Sequence, residues 1–189
     1  MSWRLLDQEE YLKEKKLLKI DILKYKQKIK NPLFFHEHCE FCFDNIEKLE
    51  EGYCSRDFYR WICPTCYRDF LKEFAFEEVK YEYFLLRHEI SGTVYHEFKM
   101  GKYAGKHWNN NSLFLSEDIM EDIQLNKIFE DNIPKYNYFG FTKINKNQWK
   151  KIIDSLEKYS VEIQKAILEI TEWVEYSLEK YKCFTILGI

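Results

Sequence analysis

Glycine and proline are scarce in this 189-residue chain, with six of one and three of the other. A glycine-rich nucleotide loop therefore has little material. The one candidate, Gly101-Lys102-Tyr103-Ala104-Gly105-Lys106-His107, lacks both the spacing and the hydroxyl residue of a phosphate-binding loop. No stretch approaches the ~18 consecutive apolar residues of a membrane span. Met1 to Asp7 is followed by charged residues where a secretory signal carries its apolar region, so a soluble, cytoplasmic protein is expected. Charge of one sign is also missing, since 29 Lys+Arg stand against 32 Asp+Glu for a net of −3. Aromatics are abundant at 18%, which argues against a disordered chain.

Catalytic motifs are missing in the same way. His88-Glu89 and His96-Glu97 have no second histidine three residues beyond the glutamate, so neither forms a zinc-protease helix. The expectation is a protein that is not an enzyme.

The charge is unevenly spread. Residues 1–31 hold nine Lys/Arg and five Asp/Glu (+4), residues 32–80 hold six and eleven (−5), and residues 81–189 hold fourteen and sixteen (−2). Nucleic-acid binders draw most of their affinity from neutralising phosphates, and only the first segment has the right sign for that. Its lysines at 13, 15, 16, 19, 24, 26, 28 and 30 are interleaved with Glu9, Glu10, Glu14 and Asp21. An acidic middle fits a protein partner better, a basic one that could be steered electrostatically.

The cysteines carry the one strong signal. Cys39-Glu-Phe-Cys42 is followed, after twenty residues, by Cys63-Pro-Thr-Cys66. Two C-x-x-C pairs at this separation fit a four-thiolate zinc site, in which each pair forms a tight turn and the two turns close a tetrahedron. Pro64 pre-sets the second turn. Four sulfur ligands leave no open position for water, so one structural Zn2+ per chain is expected on Cys39, Cys42, Cys63 and Cys66. Disulfides are the competing reading, disfavoured in a reducing compartment. His36 and His38 precede the first pair but are not needed to complete the shell. Cys54 and Cys183 read as small buried residues. His38-Cys39-Glu40 with Cys63-Pro-Thr-Cys66 imitates the H-x-E … P-C-x-x-C pattern of zinc deaminases. The proline, however, follows the first cysteine of the pair, and Cys42 would be left idle.

Along the chain, Asp7 with Glu10 starts a helix running to about Lys15. Residues 17–24 fit strand or helix, and Asn31-Pro32 ends that segment. A zinc module spans about 33–67, with a short helix after Cys66 carrying Phe70, Leu71 and Phe74. Residues 76–90 fit either type. A hairpin is favoured, with Tyr81–His88 and Thr93–Phe98 joined at Ser91-Gly92. Gly101–Asn111 reads as loop, 112–115 as strand, and Ser116 caps a helix that runs to Pro134. Tyr136–Lys143 reads as a strand. Asn145 with Gln148 caps a helix with Trp149, Ile152, Ile153 and Leu156 on one face. A longer helix places Ile163, Ile167, Ile170, Val174 and Leu178 at intervals of three and four, and Cys183–Ile189 is an apolar strand inside a sheet. The fold class is α+β: a small zinc-binding module at 1–78, then an α+β domain at 79–189 with about four strands, mainly antiparallel, three helices and C-terminal helices.

Two resemblances follow from these residues. Trp3-Arg-Leu-Leu-Asp-Gln-Glu-Glu-Tyr-Leu12, His38-Cys-Glu-Phe-Cys42, Glu51-Gly-Tyr-Cys54 and Trp61-Ile-Cys-Pro-Thr-Cys66 look like a small bacterial zinc-knuckle module. Lys80-Tyr-Glu-Tyr, Asn137-Tyr-Phe-Gly-Phe and Phe184-Thr-Ile-Leu-Gly-Ile189 resemble immunity proteins of bacterial polymorphic toxin systems. That resemblance implies a protein that binds and neutralises a cognate toxin protein; the contact itself is expected to have exposed aromatics at its centre and acidic residues at its rim. A zinc-ribbon-like nucleic-acid binder or regulator is the alternative.

Overall fold

The computed structural model describes residues 3–5, 15–29 and 35–189. The helix expected from Asp7 and the Asn31-Pro32 stop lie outside them. The fold is α+β, and the chain divides into two compact units, Met1–Lys80 and Tyr81–Ile189. Among the described residues no helix is long and apolar enough to cross a membrane.

In the first unit, residues 17–24 are both strand and helix. Strand β1 (Lys16–Asp21) gives way to helix α1 (Ile22–Lys28) at Asp21, whose carboxylate accepts from Lys24 N at 2.9 Å and so caps the helix. Strands β2 (Glu51–Cys54) and β3 (Trp61–Ile62) follow, then helix α2 (Pro64–Phe74) and strand β4 (Glu77–Val79). The sheet order is β3-β2-β1-β4, with β4 parallel to β1 and the other pairs antiparallel. Pairing with β1 places β4 in the first unit, although it straddles the 78/79 boundary drawn from the sequence. Leu17, Ile20, Phe41, Ile46, Trp61 and Ile62 form the core.

The second unit has one fully antiparallel five-stranded sheet, built from β5 (Leu85–Leu86), β6 (Tyr95–Met100), β7 (Leu113–Ser116), β8 (Phe141–Asn145) and β9 (Cys183–Leu187) in the order β5-β7-β6-β9-β8. The expected hairpin does not form. β5 pairs with β7, and β7 lies between β5 and β6. The chain only bends at Gly92 and Thr93, and the 101–112 loop brings back a more apolar strand, Leu113-Phe-Leu, to pair with both neighbours. The helix expected from Ser116 to Pro134 is broken into α3 (Glu117–Asp122) and α4 (Asn126–Asn132), with Gln124 between them in a left-handed conformation. The Tyr136–Lys143 strand is shorter and later than expected, because residues 136–140 turn before β8 begins. Helices α5 (Lys146–Ser155) and α6 (Val161–Tyr181) follow; Asn145 and Gln148 form a full capping box on α5. β9 is buried along its whole length between β6 and β8, as its apolar composition requires. Trp149 and Trp173, from α5 and α6, pack edge-on against Phe184.

His96 on β6 is fully buried; its Nε2 meets the Glu117 carboxylate at 2.5 Å, and the Tyr138 hydroxyl donates to the same carboxylate at 2.7 Å. Burial lowers the histidine's pKa, against the opposing pull of Glu117. A folded-state pKa below the unfolded one means that protons favour the unfolded chain. The His96 contribution is therefore level above roughly pH 6.5 and falls as the pH drops through the ordinary histidine range. Urea midpoints measured at several pH values should decline more steeply below that point for the native chain than for His96→Gln. Parallel curves for the two proteins would contradict this assignment.

Candidate metal centre

The first cysteine pair sits on a tight turn. Cys39 N donates to Asp44 O at 2.8 Å, and Phe43 N donates back to Cys39 O at 2.9 Å, with Phe43 held at a φ of 61°. Glu40 N donates to Trp61 O at 2.9 Å, which ties this turn to β3 and so to the second pair. There Cys63 is the N-cap of α2. Pro64 occupies the first turn, where its missing N–H is no loss, and Cys66 N lies 3.4 Å from Cys63 Sγ. The second pair thus occupies a helix N-terminus, whose unpaired N–H groups favour negative charge.

The four sulfur atoms of Cys39, Cys42, Cys63 and Cys66 lie within 4.8 Å of one another, and Cys42 and Cys63 are 3.7 Å apart. Sulfurs bonded at ~2.3 Å to one central ion in a tetrahedron are separated by similar distances, so the group can hold a metal ion. No disulfide joins the cysteines, and four sulfurs gathered at one point suit a shared ion. Neither His36 nor His38 belongs to the group: His36 Nδ1 pairs with Glu47 at 3.1 Å. Cys42 does belong, contrary to the deaminase pattern. Cys54 on β2 and Cys183 on β9 are buried and do not belong to the group.

The thiols are electrostatically unequal. The Cys63 thiol is drawn down to about 5 by the hydrogen bond from Cys39, helped by the N–H of Cys66. Cys39 is raised by that same bond and by burial. Cys42 is pushed up to about 12, burial being the main cause, and burial also raises Cys66. A cation entering among them takes the place of protons.

One contributor was not read from the sequence. In the 3-10 turn Trp3–Leu5, Arg4 donates from Nη1 to Cys66 Sγ at 3.2 Å and pairs through Nη2 with Asp69 at 2.8 Å. Its guanidinium lies 4.6 Å from the Phe70 ring centroid. Four thiolates around a dication leave two negative charges, and Arg4 supplies an adjacent positive one. The only sequence signal was that Trp3-Arg4 belongs to the segment resembling the knuckle module.

Three of the eight lysines offered for phosphate binding pair with carboxylates. Lys19 pairs with Glu51 at 2.7 Å, Lys16 with Glu77 at 3.7 Å and Lys24 with Asp21 at 3.5 Å. Lys13 and Lys30 lie outside the described residues.

Fold and site together define a two-unit α+β protein whose first unit carries a group of four cysteines that could hold a metal ion. Comparison with models of known protein families, with curated proteins and with solved structures finds no match.

Two outcomes are expected. Cys39→Ser should abolish stoichiometric metal binding and collapse hydrogen-exchange protection in residues 35–80, since a structural ion of this kind carries ~10–16 kcal/mol of apparent binding energy. Arg4→Gln should keep the metal but weaken its hold by about 10–100-fold, the usual cost of removing a group that supports a ligand, read as faster transfer to a chromogenic chelator. Transfer at the native rate would show that Arg4 does not support the centre.

Proposed function

We propose that this chain is a cytoplasmic binding protein of the immunity type, which neutralises a cognate bacterial toxin protein by direct contact, and that its metal is a structural zinc. Zinc is the ion best suited to four thiolates in a tetrahedron, and a shell closed by four protein ligands leaves no position for a reacting water. The metal therefore staples the first unit, and recognition falls to surfaces.

The observation that carries the reading is an exposed apolar corner on the second unit. Phe139 is 72% exposed, Phe141 64% and Val94 56%. Phe139 and Phe141, two large apolar side chains left in water two residues apart, mark a binding surface more readily than a lone exposed residue does. The backbone holds them there. Gly188 N donates to Gly140 O at 2.6 Å, fixing the turn that presents Phe139 to the end of β9. Tyr138 packs edge-on against Phe139 at 5.0 Å, and its hydroxyl bonds Glu117, whose N–H donates to Val94 O. A pre-organised apolar anchor of this kind is what a high-affinity contact uses.

The test is co-expression with the products of neighbouring genes, followed by native mass and metal analysis. One zinc per chain and a stoichiometric toxin domain, with its toxicity lost, is the expected result. Phe139→Ala with Phe141→Ala should then weaken the complex by about 30-fold or more, the scale of a binding hot spot, without changing the melting temperature. Neighbouring products that all stay unbound and active would overturn the reading.

A further inference from the structure

The six cysteines differ in their access to water. Cys39, Cys54, Cys63, Cys66 and Cys183 are each 4% exposed or less, and Cys42 alone is partly exposed. The next two residues along the chain, Phe43 and Asp44, are exposed, so the first turn opens at Cys42. The charges beside the sulfurs differ as well. Cys66 Sγ accepts from the Arg4 guanidinium at 3.2 Å, and a cation there draws electron density away from the sulfur. The Cys42 thiol instead donates to an Asp44 carboxylate oxygen at 3.2 Å, so once its proton is gone an anion stands beside it. Access and electron density make a thiolate reactive toward an electrophile, whereas buried structural cysteines are inert.

A second sulfur is in place to complete the chemistry. Cys63 Sγ, from the opposite turn, is 3.7 Å from Cys42 Sγ. A disulfide is ~2.05 Å long, so closing the gap takes a side-chain movement of under about 2 Å. The backbone need not follow, because Glu40 N on Trp61 O already holds the two turns together.

We propose that Cys42 is a hydroperoxide-reactive thiol and that Cys63 resolves its oxidised form, so that a disulfide between the two turns replaces the shared ion. The inference rests on the metal reading above and adds a redox response to that site. First the Cys42 sulfur attacks the terminal oxygen of the hydroperoxide. The O–O bond breaks, the other oxygen leaves and is protonated to an alcohol (water, for hydrogen peroxide), and Cys42 becomes a sulfenic acid. The Cys63 thiolate then attacks the Cys42 sulfur; the S–S bond forms, the S–O bond breaks, and hydroxide leaves and is protonated to water. Two thiolates thus give up two electrons, and the hydroperoxide takes them with two protons from solvent. Cys39 and Cys66 remain as two ligands where a closed shell needs four. The turns stay joined, by the new bond and by Glu40 N on Trp61 O. The first unit releases its metal and keeps its fold, in contrast to the loss of Cys39.

The experiment loads the reduced full chain with zinc and adds hydrogen peroxide. A chromogenic chelator reads the released metal, alkylation with peptide mass spectrometry reads the sulfur pairing, and hydrogen exchange reads residues 35–80. The expected result is one zinc released for each Cys42–Cys63 disulfide, with exchange protection kept. Dithiothreitol and fresh zinc should then restore the starting state. Cys42→His keeps a fourth ligand that cannot enter a disulfide, and it should release zinc to peroxide at least about tenfold more slowly. Zinc held by the native chain under a large excess of peroxide overturns this inference alone. So does a disulfide within either pair, Cys39–Cys42 or Cys63–Cys66, in place of the crossing one, and so does release from Cys42→His at the native rate. A reduced chain that binds no zinc overturns the metal reading and this inference with it.

Discussion

Four sulfur atoms within 4.8 Å of one another are the constraint around which the first unit is organised. Four thiolates so placed repel one another, and four thiols, three of them buried, gain little from being together; a shared cation would turn the crowding into cohesion. The local structure accordingly serves two ends at once. Cys63 is a candidate ligand and also the cap of α2, and Phe43 accepts a left-handed conformation so that the first pair can turn back on itself. Glu40 N on Trp61 O then sets one turn against the other through the backbone, independent of any side chain. Arg4 and Asp69 add the charge balance that a group of thiolates needs on a surface half open to water.

The second unit solves a different problem by similar means. Its loop 101–112 crosses one face of the sheet with little apolar material of its own. It is held by a buried carboxylate, because Glu97 gathers two backbone N–H groups, an amide and a hydroxyl. A charge this deep is tolerable only when its lone pairs are occupied, and four donors achieve that. Trp108 is held in a left-handed conformation at one of those donors, with its ring stacked on Phe114. A polar anchor under an otherwise irregular segment keeps the aromatic side chains above it in fixed places.

The parts of this architecture that were legible in the sequence are those encoded locally. The capping box at Asn145 and Gln148, the stripe of α6 and the apolar run of β9 each depend on residues within one element, and each occurs as its spacing implies. The four cysteines were legible because metal ligation imposes spacing as well as composition. What was not legible depends on distant pairing. Ser91-Gly92 has the chemistry of a hairpin turn, yet β7 displaces the nearer strand because it can pair with both β5 and β6. The break between α3 and α4 rests on one left-handed residue, Gln124, in a stretch whose apolar spacing reads as continuous helix. Arg4 reaches Cys66 across sixty-two positions, and no pattern of spacing announces such a contact.

Charge shows the same limit most clearly. Summed over residues 81–189 the balance is slightly acidic, and a regional average of that kind suggests a basic partner. A partner does not meet the average. It meets a face, and the sheet order β6-β9-β8 assembles a face from three strands that are separate in sequence and carry a single acid, the buried Glu97. The acids that set the regional average lie on other elements: α3, α4 and the outer side of α6. At physiological salt fields decay over ~8 Å, so the charges that act at the Phe139–Phe141 corner are those beside it: Lys143 on β8, and Glu117 and Glu121 of α3, which reach Tyr138 next to Phe139. The charges met at any one place on the surface are thus decided by which elements the topology brings together there.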